Sequence, residues 1–590
     1  MSFCIVYQKE EFKENMYKKY DDFYIKIIGR ETPSSLDYYF DESKKELNLL
    51  IGDIFDTTLK DIVEKKWYED SSILSEILGA FSIVKVDIKN KRVDFASCRV
   101  GVEILYYFYR DNRFIISDNL WEIVNVIKPS FVDLNDENIK EIFLSSYSFN
   151  ADTIIKNLKF LKPATKGVFY NNSLEIKKYW QFKYNHTKDY SMDEAIENVD
   201  LILNEAMKKC AKKWGNVDFA VGLSGGLDSR IIPYYAKKNG LKIQSFILGN
   251  KRPNGFFLSR DHKNARNIAN IYSIEHTEVE FDISQLENII NKEVQTAPMI
   301  SNNFFKINYK DTIEFDVILT GASGLIVGAE LPENILEYSE EDLFNLLKNN
   351  ASIIKKNSMF KSRVSRTLKY LFNINYTPKQ RIPSYYKKIV TNNMENKYNE
   401  ILKNFISENK KIGKTNLDIY EQNFCQDIGM LNRYGAFESM CGSKKAISIY
   451  VPFLFDETLK WSFDMLKGRK LMHELIIRKI PAVKDIKPQS FGLSYGIKKH
   501  EKFLKVFDIL CFLLRGNGGD SIEKRYKNKH VKKAFYKDII NDKKWFTSII
   551  NISKSEIEDI RKNQMDLALI MWKTKRIVDA IESKEYINFI

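Results

Sequence analysis

Hydrophobic positions change their period near residue 190. Before about residue 180, short apolar runs alternate with polar turns, as in Leu49-Leu50-Ile51-Gly52-Asp53, Gly79-Ala80-Phe81-Ser82-Ile83-Val84-Lys85-Val86 and Arg113-Phe114-Ile115-Ile116-Ser117. Runs of this length between turn residues predict strands, with helices interspersed, in a layered unit. Leu161 to Gly167 predicts a turn feeding a strand at Val168-Phe169-Tyr170, and polar Asn185 to Ser191 predicts a linker. Met192 to Trp214 then carries helical spacing. Beyond it, Val217 to Leu223, Lys242 to Gly249, Glu275 to Glu280 and Phe315 to Thr320 predict buried strands. The stretches after Arg230 and from Asp261 to Ser273 predict helices between them. Strands separated by helices predict an open α/β sheet, with ligands at its loop-bearing strand ends. The remainder reads as mainly helical. The expected class is therefore α/β: a layered sandwich over 1–183, an open-sheet domain over 192–500 and a helical, basic extension over 501–590.

The first strand-to-helix turn of the open sheet carries the chemistry. Ser224-Gly225-Gly226-Leu227-Asp228-Ser229 follows an apolar run and leads into a helix. Paired glycines let the backbone approach phosphate oxygens, helix-start amides neutralise charge, and two serines add hydroxyl donors. Ser224, Gly225, Gly226 and Ser229 are thus candidate phosphate ligands, and Asp228 is the candidate ligand for a magnesium ion beside a cleaved pyrophosphate. The loop lacks the Gly-Lys-Ser/Thr ending of a Walker motif. The plainer alternative is a tight turn with a serine cap.

Composition narrows the class. With 44% hydrophobic residues, 39 Phe and 32 Tyr, the chain can build several cores without disulfides or structural metal. Cys4, Cys98, Cys210, Cys425, Cys441 and Cys511 lack metal-ligand spacing and read as buried thiols of a cytoplasmic protein. The six histidines form no short-range metal pattern. No run reaches the roughly 20 apolar residues of a membrane span, and Ile509 to Leu514 reads as a core helix segment. The formal charge of +14 is concentrated: Ala351 to Lys388 holds ten basic residues and no acid. That stretch reads as a solvated surface or as a dock for a peptide partner. No zinc finger or aromatic RNA-reading motif is present, so a nucleic-acid partner is not expected.

The Ser-Gly-Gly-Leu-Asp-Ser loop behind a strand-rich N-terminal half resembles the asparagine synthetase superfamily, which includes beta-lactam synthetases and lasso-peptide cyclases. Tyr450-Val451-Pro452-Phe453-Leu454-Phe455-Asp456 resembles its Pro-Phe-Leu-Asp segment with one residue added, and Lys487-Pro488-Gln489-Ser490-Phe491-Gly492 its later lysine-glycine segment. The resemblance covers residues 1 to about 500. It implies a glutamine-amidotransferase-like sandwich followed by an ATP-pyrophosphatase-type synthetase domain, with ATP and Mg2+ as cofactors. It makes Lys487 and Asp228 the catalytic candidates, with the lysine stabilising negative charge. Arg230 and, in an acyl-substrate region, Tyr434, Glu438 and Tyr450 are weaker candidates.

Several positions depart from the family pattern. In Gly321-Ala322-Ser323-Gly324-Leu325-Ile326-Val327-Gly328, Leu325 and Ile326 stand where the family carries acids, and Ala322 stands for its usual Glu. Leu325 cannot ligate magnesium; Asp228 with phosphate and water, or Glu330, would hold the ion. Cys4 follows Ser2 and Phe3, so it lacks the free α-amine on which the amidase reaction depends. Ile51 replaces an amide-bearing Asn and Cys98 a substrate-contacting Asp. The expected activity is ATP-dependent amide-bond formation between a carboxylate substrate and an amine donor, in one molecule or two, in natural-product or peptide maturation. The alternatives are an asparagine synthetase fed by free ammonia and a noncatalytic nucleotide- or peptide-binding scaffold.

Overall fold

The computed structural model describes residues 2–9, 16–28, 36–145, 148, 151–184, 190–249, 259–279, 287–288, 290–291, 294, 314–321, 331–332, 334–351, 386–389, 392–423, 445–486, 538–539, 549, 551–563 and 565–584. The N-terminal strands are β1 (Ser2–Tyr7), β2 (Lys18–Tyr20), β3 (Phe23–Ile28), β4 (Leu36–Asp41), β5 (Glu46–Ile54), β6 (Gly79–Asp87), β7 (Arg92–Ser97), β8 (Tyr106–Arg110), β9 (Arg113–Ser117), β10 (Leu158–Phe160), β11 (Thr165–Tyr170) and β12 (Ser173–Lys178). They form two six-stranded sheets, ordered β10-β8-β9-β1-β3-β2 and β12-β11-β7-β6-β5-β4. All pairings in both are antiparallel.

Strand alternation explains the layers. Phe3, Ile5 and Tyr7 of β1 share a buried core with Leu47, Leu49, Val84, Val86 and Phe95 of the second sheet. Cys4 and Val6, on the opposite face, pack in a core with Trp121 and Ile123 of α2 (Leu120–Ile127) and Ile139 and Phe143 of α3 (Asp136–Ser145). The outer face of the second sheet, through Leu50, Ile83 and Ala96, meets α1 (Leu59–Glu64) and α4 (Met192–Trp214). The result is a sandwich of helix, sheet, sheet and helix. Because both faces of each sheet are covered, the inner strands read as near-continuous apolar runs. Strand β11 begins at Thr165, inside the expected turn, because it pairs with β7 and β12 from there onward.

The second unit is a five-stranded sheet of β13 (Phe219–Gly222), β14 (Ile243–Leu248), β15 (His276–Val279), β16 (Val317–Thr320) and β17 (Lys445–Ser448), ordered β15-β14-β13-β16-β17. Every neighbouring pair is parallel. Helices α5 (Asp228–Lys238) and α6 (Arg260–Tyr272) connect β13 to β14 and β14 to β15. The chain then returns to the other side of β13, so the strand order reverses between β13 and β16. In an open parallel sheet, that reversal opens a crevice beyond the strands' C-terminal ends. Strand β17 interrupts the stretch expected to be mainly helical. Its four residues carry almost no pattern of their own, and pairing with β16 supplies what propensity does not.

Helix α4 joins the two units. Ser191 caps it, reciprocally with Glu194, and its buried stripe includes Ile196, Val199, Leu203, Met207 and Cys210. Lys213 reaches Asp53 at 3.4 Å and donates to the Ile54 carbonyl. Arg99 forms a two-pronged ion pair with Asp456, with Nη2 to Oδ2 at 2.9 Å, and its guanidinium lies 5.1 Å from the Phe455 ring. The C-terminal helices Lys554–Asn563 and Met565–Ser583 fold back onto the α2–α3 layer, where Ile560, Met571 and Trp572 enter the core of Trp121 and Phe143. Of the basic stretch 351–388, the described part is its two ends; there Lys388 pairs with Glu556 at 2.7 Å. Ile509 to Leu514 lies outside the described residues. Among the described residues, no helix is long and apolar enough to cross a membrane.

Candidate functional site

The turn after β13 lies at the point of strand reversal, and its polar groups tie the loop into a closed unit. Ser224 donates its backbone N–H to Ser229 Oγ at 2.9 Å, and the two hydroxyls lie 3.0 Å apart. Gly226 N–H donates to Ser224 Oγ at 3.1 Å, while Gly225 N–H donates to Asp261 Oδ1 at 3.1 Å. Sequence reasoning expected these serine hydroxyls and glycine amides to face a ligand. In this structure the hydroxyls and the Ser224 and Gly226 amides bond one another, as short polar side chains do when crowded into one turn, and the Gly225 amide bonds Asp261. Beside them lie the Asp228 and Ser229 amides at the start of α5, while the Arg230 amide donates back to the Leu227 carbonyl. The cap residue of α5, Leu227, offers no side-chain acceptor, whereas Ser191 caps α4 and Ser259 caps α6. An uncapped helix start aims unsatisfied N–H groups and the positive end of the helix dipole at one point.

Asp228 stands at that point. Tyr450 donates its hydroxyl to Asp228 Oδ1 at 2.8 Å. Arg469 straddles the same carboxylate, with Nη2 to Oδ1 at 2.5 Å and Nη1 to Oδ2 at 3.3 Å. Gly321, just past β16, packs flat beneath the side chain: a Cβ there would lie 2.5 Å from Asp228 Cβ. Tyr450 is fully buried, and burial, followed by the Asp228 charge, pushes its phenol well above the usual value. It therefore serves as a hydrogen-bond donor. Arg469 has a left-handed backbone (φ 57°) directly after Gly468 (φ 60°), a turn that launches the helix Lys470–Lys479. Left-handed non-glycine residues are held against a cost of about 1–3 kcal/mol and cluster at sites.

Arg230 is wholly buried one turn below. It donates to the Gly225 carbonyl at 3.0 Å and the Val483 carbonyl at 3.3 Å, and its own carbonyl accepts from Tyr272. It therefore braces the loop from behind rather than entering the cavity. His473 follows Arg469 by one helical turn. Burial, followed by the Arg469 and Arg230 charges, pushes its imidazolium down to about 4. Since this lies below the ordinary value near 6.5, the folded state binds its proton later than the unfolded chain does. The associated stability is present above about pH 6.5 and is lost as pH falls through about 4, a change on the order of 1–3 kcal/mol. The thermal midpoint of the wild type should therefore fall more steeply between those pH values than that of His473→Gln. Parallel midpoint curves would refute the assignment.

Ser224, Gly225, Gly226, Asp228 and Ser229 thus lie together. Lys487, Ala322, Leu325, Ile326, Glu330, Tyr434 and Glu438 lie outside the described residues. Tyr450 was singled out by sequence for an acyl-substrate region; its contact is with Asp228. Arg469, His473 and Asp261 were not singled out. Of these, Asp261 carried a local signal, as an acid two residues after the serine that caps α6. Among the described residues no three His, Cys, Asp or Glu side chains converge as a metal site. Asp228 could hold magnesium only alongside phosphate oxygens and waters and in competition with the Arg469 guanidinium.

Both described cysteines of the N-terminal unit are buried. Cys4 sits in the middle of β1, paired on both sides by β3 and β9, and burial pushes its thiol strongly upward. Thiolate chemistry requires the opposite shift. Cys98 is buried at the end of β7 and Ile51 is packed between the sheets. Gly52 keeps a left-handed backbone (φ 93°) with no room for a side chain against the Ala80 carbonyl.

A glycine-serine turn at the reversal point of an open parallel sheet, joined to a double-sheet sandwich, defines a two-unit α/β protein. Residues 198–308 match the family model described as asparagine synthase. A Methanocaldococcus jannaschii protein named as a glutamine-hydrolyzing asparagine synthetase is 26% identical over 161 residues, 27% of this chain and 31% of that protein. The chain thus resembles the asparagine synthetase superfamily over part of its length. It spans under a third of that relative's length. Two solved structures are also similar, each at 10% identity and over 47% of this chain. One is titled as the allosteric regulatory enzyme of purine biosynthesis (TM-score 0.19, 73% of that chain); the other is the glutamine phosphoribosylpyrophosphate amidotransferase of B. subtilis (TM-score 0.17, 74%). The fold described above rests on strand pairing alone.

Proposed function

We propose that the chain is an ATP-dependent amide-bond synthetase. The observation that carries this reading is the joint placement of the uncapped start of α5, Asp228 and the Ser224–Ser229 loop at the strand reversal. A substrate carboxylate oxygen attacks the α-phosphorus of ATP, the bond to the bridging oxygen breaks, and pyrophosphate leaves. An amine then attacks the acyl carbon, loses a proton and expels AMP. In this scheme the amides at the start of α5 would hold the phosphates, the Ser224–Ser229 loop exchanging its internal hydrogen bonds for them, and Asp228 would hold Mg2+. Lys487, the sequence candidate, screens charge that develops in the transition state. Holding both reactants together removes much of the entropic cost of their encounter. The buried, strand-paired Cys4 favours an amine that does not come from glutamine hydrolysis at that thiol, so the donor is a substrate amine or free ammonia. The cytoplasm is the expected compartment, and the basic 351–388 stretch is a solvated surface or a dock for a peptide partner.

Purified full-length protein should release pyrophosphate from ATP only when a suitable carboxylate is supplied. Untargeted mass spectrometry of ATP-dependent products, with and without ammonium, identifies the amine. Asp228→Asn should lower this release by about 100-fold or more. ATP binding by the wild type without carboxylate-dependent pyrophosphate release across a broad substrate set would favour the scaffold reading.

A further inference from the structure

We infer that Arg469 is a nucleotide-responsive latch on Asp228, an inference that rests on the nucleotide-site reading above. The Arg469 guanidinium contacts both oxygens of the carboxylate, 241 residues away in sequence, while Tyr450 holds Oδ1 from a second direction. A magnesium ion and this guanidinium compete for that carboxylate, because two cations at contact distance repel and Arg469 and Tyr450 between them take most of its lone pairs. Arg469 therefore opposes metal binding at Asp228 until it is drawn away. A triphosphate supplies the reason to leave: its oxygens take a guanidinium fork as a carboxylate does and carry more charge. The left-handed turn at Gly468 and Arg469 fixes the root of the side chain beside Asp228, with the side chain itself 14% exposed. Rotation of that side chain is the motion the exchange calls for. On this account the metal binds Asp228 only weakly ahead of the nucleotide, and metal and nucleotide strengthen each other's binding.

The test uses Mn2+, read by electron paramagnetic resonance, and a non-hydrolysable ATP analogue, read by calorimetry, on full-length wild type, Arg469→Met, Arg469→Lys and Asp228→Asn. Wild type should bind Mn2+ weakly alone and at least about 10-fold more tightly with the analogue. Arg469→Met should bind Mn2+ alone more tightly than wild type, bind the analogue less tightly, and lose most of the coupling. Arg469→Lys, a point charge without the fork, should fall between them, and Asp228→Asn should lose the Mn2+ site. A merely structural arginine would not raise metal affinity when removed. Unchanged Mn2+ affinity and coupling in Arg469→Met, with normal analogue binding by the wild type, overturn the latch alone. A wild type that fails to bind the analogue overturns the nucleotide site and the latch together.

Discussion

Gly321→Ala is expected to cut pyrophosphate release by about 100-fold and to weaken nucleotide binding, with the sheet still folded. A methyl at this position would sit 2.5 Å from Asp228 Cβ and 2.9 Å from Cγ. Those atoms lie close to the backbone and cannot swing clear as a long side chain does, so α5 itself must give way. A displacement near 1 Å at a reacting geometry costs on the order of 100-fold. Gly222→Ala is the matched control. Its Cβ would meet only the Phe246 ring, at 3.8 Å, an ordinary contact. Equal tolerance of the two substitutions would mean that Asp228 does not rest on Gly321.

Arg230→Met should produce the largest loss of stability, about 2–4 kcal/mol, or a fall in thermal midpoint on the order of 5–10 °C. The substitution keeps the apolar stem but removes donors to two carbonyls, of Gly225 in the loop and of Val483 in the turn Pro481–Val483. Buried acceptors that lose their donor carry their full desolvation cost. Arg230→Lys can serve one carbonyl and should recover part of the loss. Scanning calorimetry with and without nucleotide separates the two roles: a brace lowers the midpoint in both conditions. A midpoint unchanged from wild type would return Arg230 to the cavity, where sequence reasoning had placed it.

Several strands and helices of both units were legible because their signals are local. Val217 to Leu223 and Phe315 to Thr320 announced β13 and β16, and Met192 to Trp214 announced α4 at the observed bounds. The glycine-serine turn was legible for the same reason: glycine, serine and aspartate each have a narrow set of uses between a strand and a helix. Strand β17 was not, since four residues beside a partner more than a hundred positions earlier hold too little pattern. Nor was the loop's internal bonding, in which Asp261 captures the Gly225 amide from 36 residues away.

What the amino-acid order determined by itself is many of the elements and the position of the glycine-serine turn between the first strand and helix of the open sheet. What the tertiary structure alone decided is the company Asp228 keeps. Tyr450 and Arg469 lie 222 and 241 residues along the chain, and they meet this carboxylate because β16 and β17 stack beside β13 and the chain after β17 folds back over the cavity. Local propensity acts over a few residues, whereas the charge on a carboxylate is balanced by whatever the sheet order and the packing of later segments bring within about 3 Å.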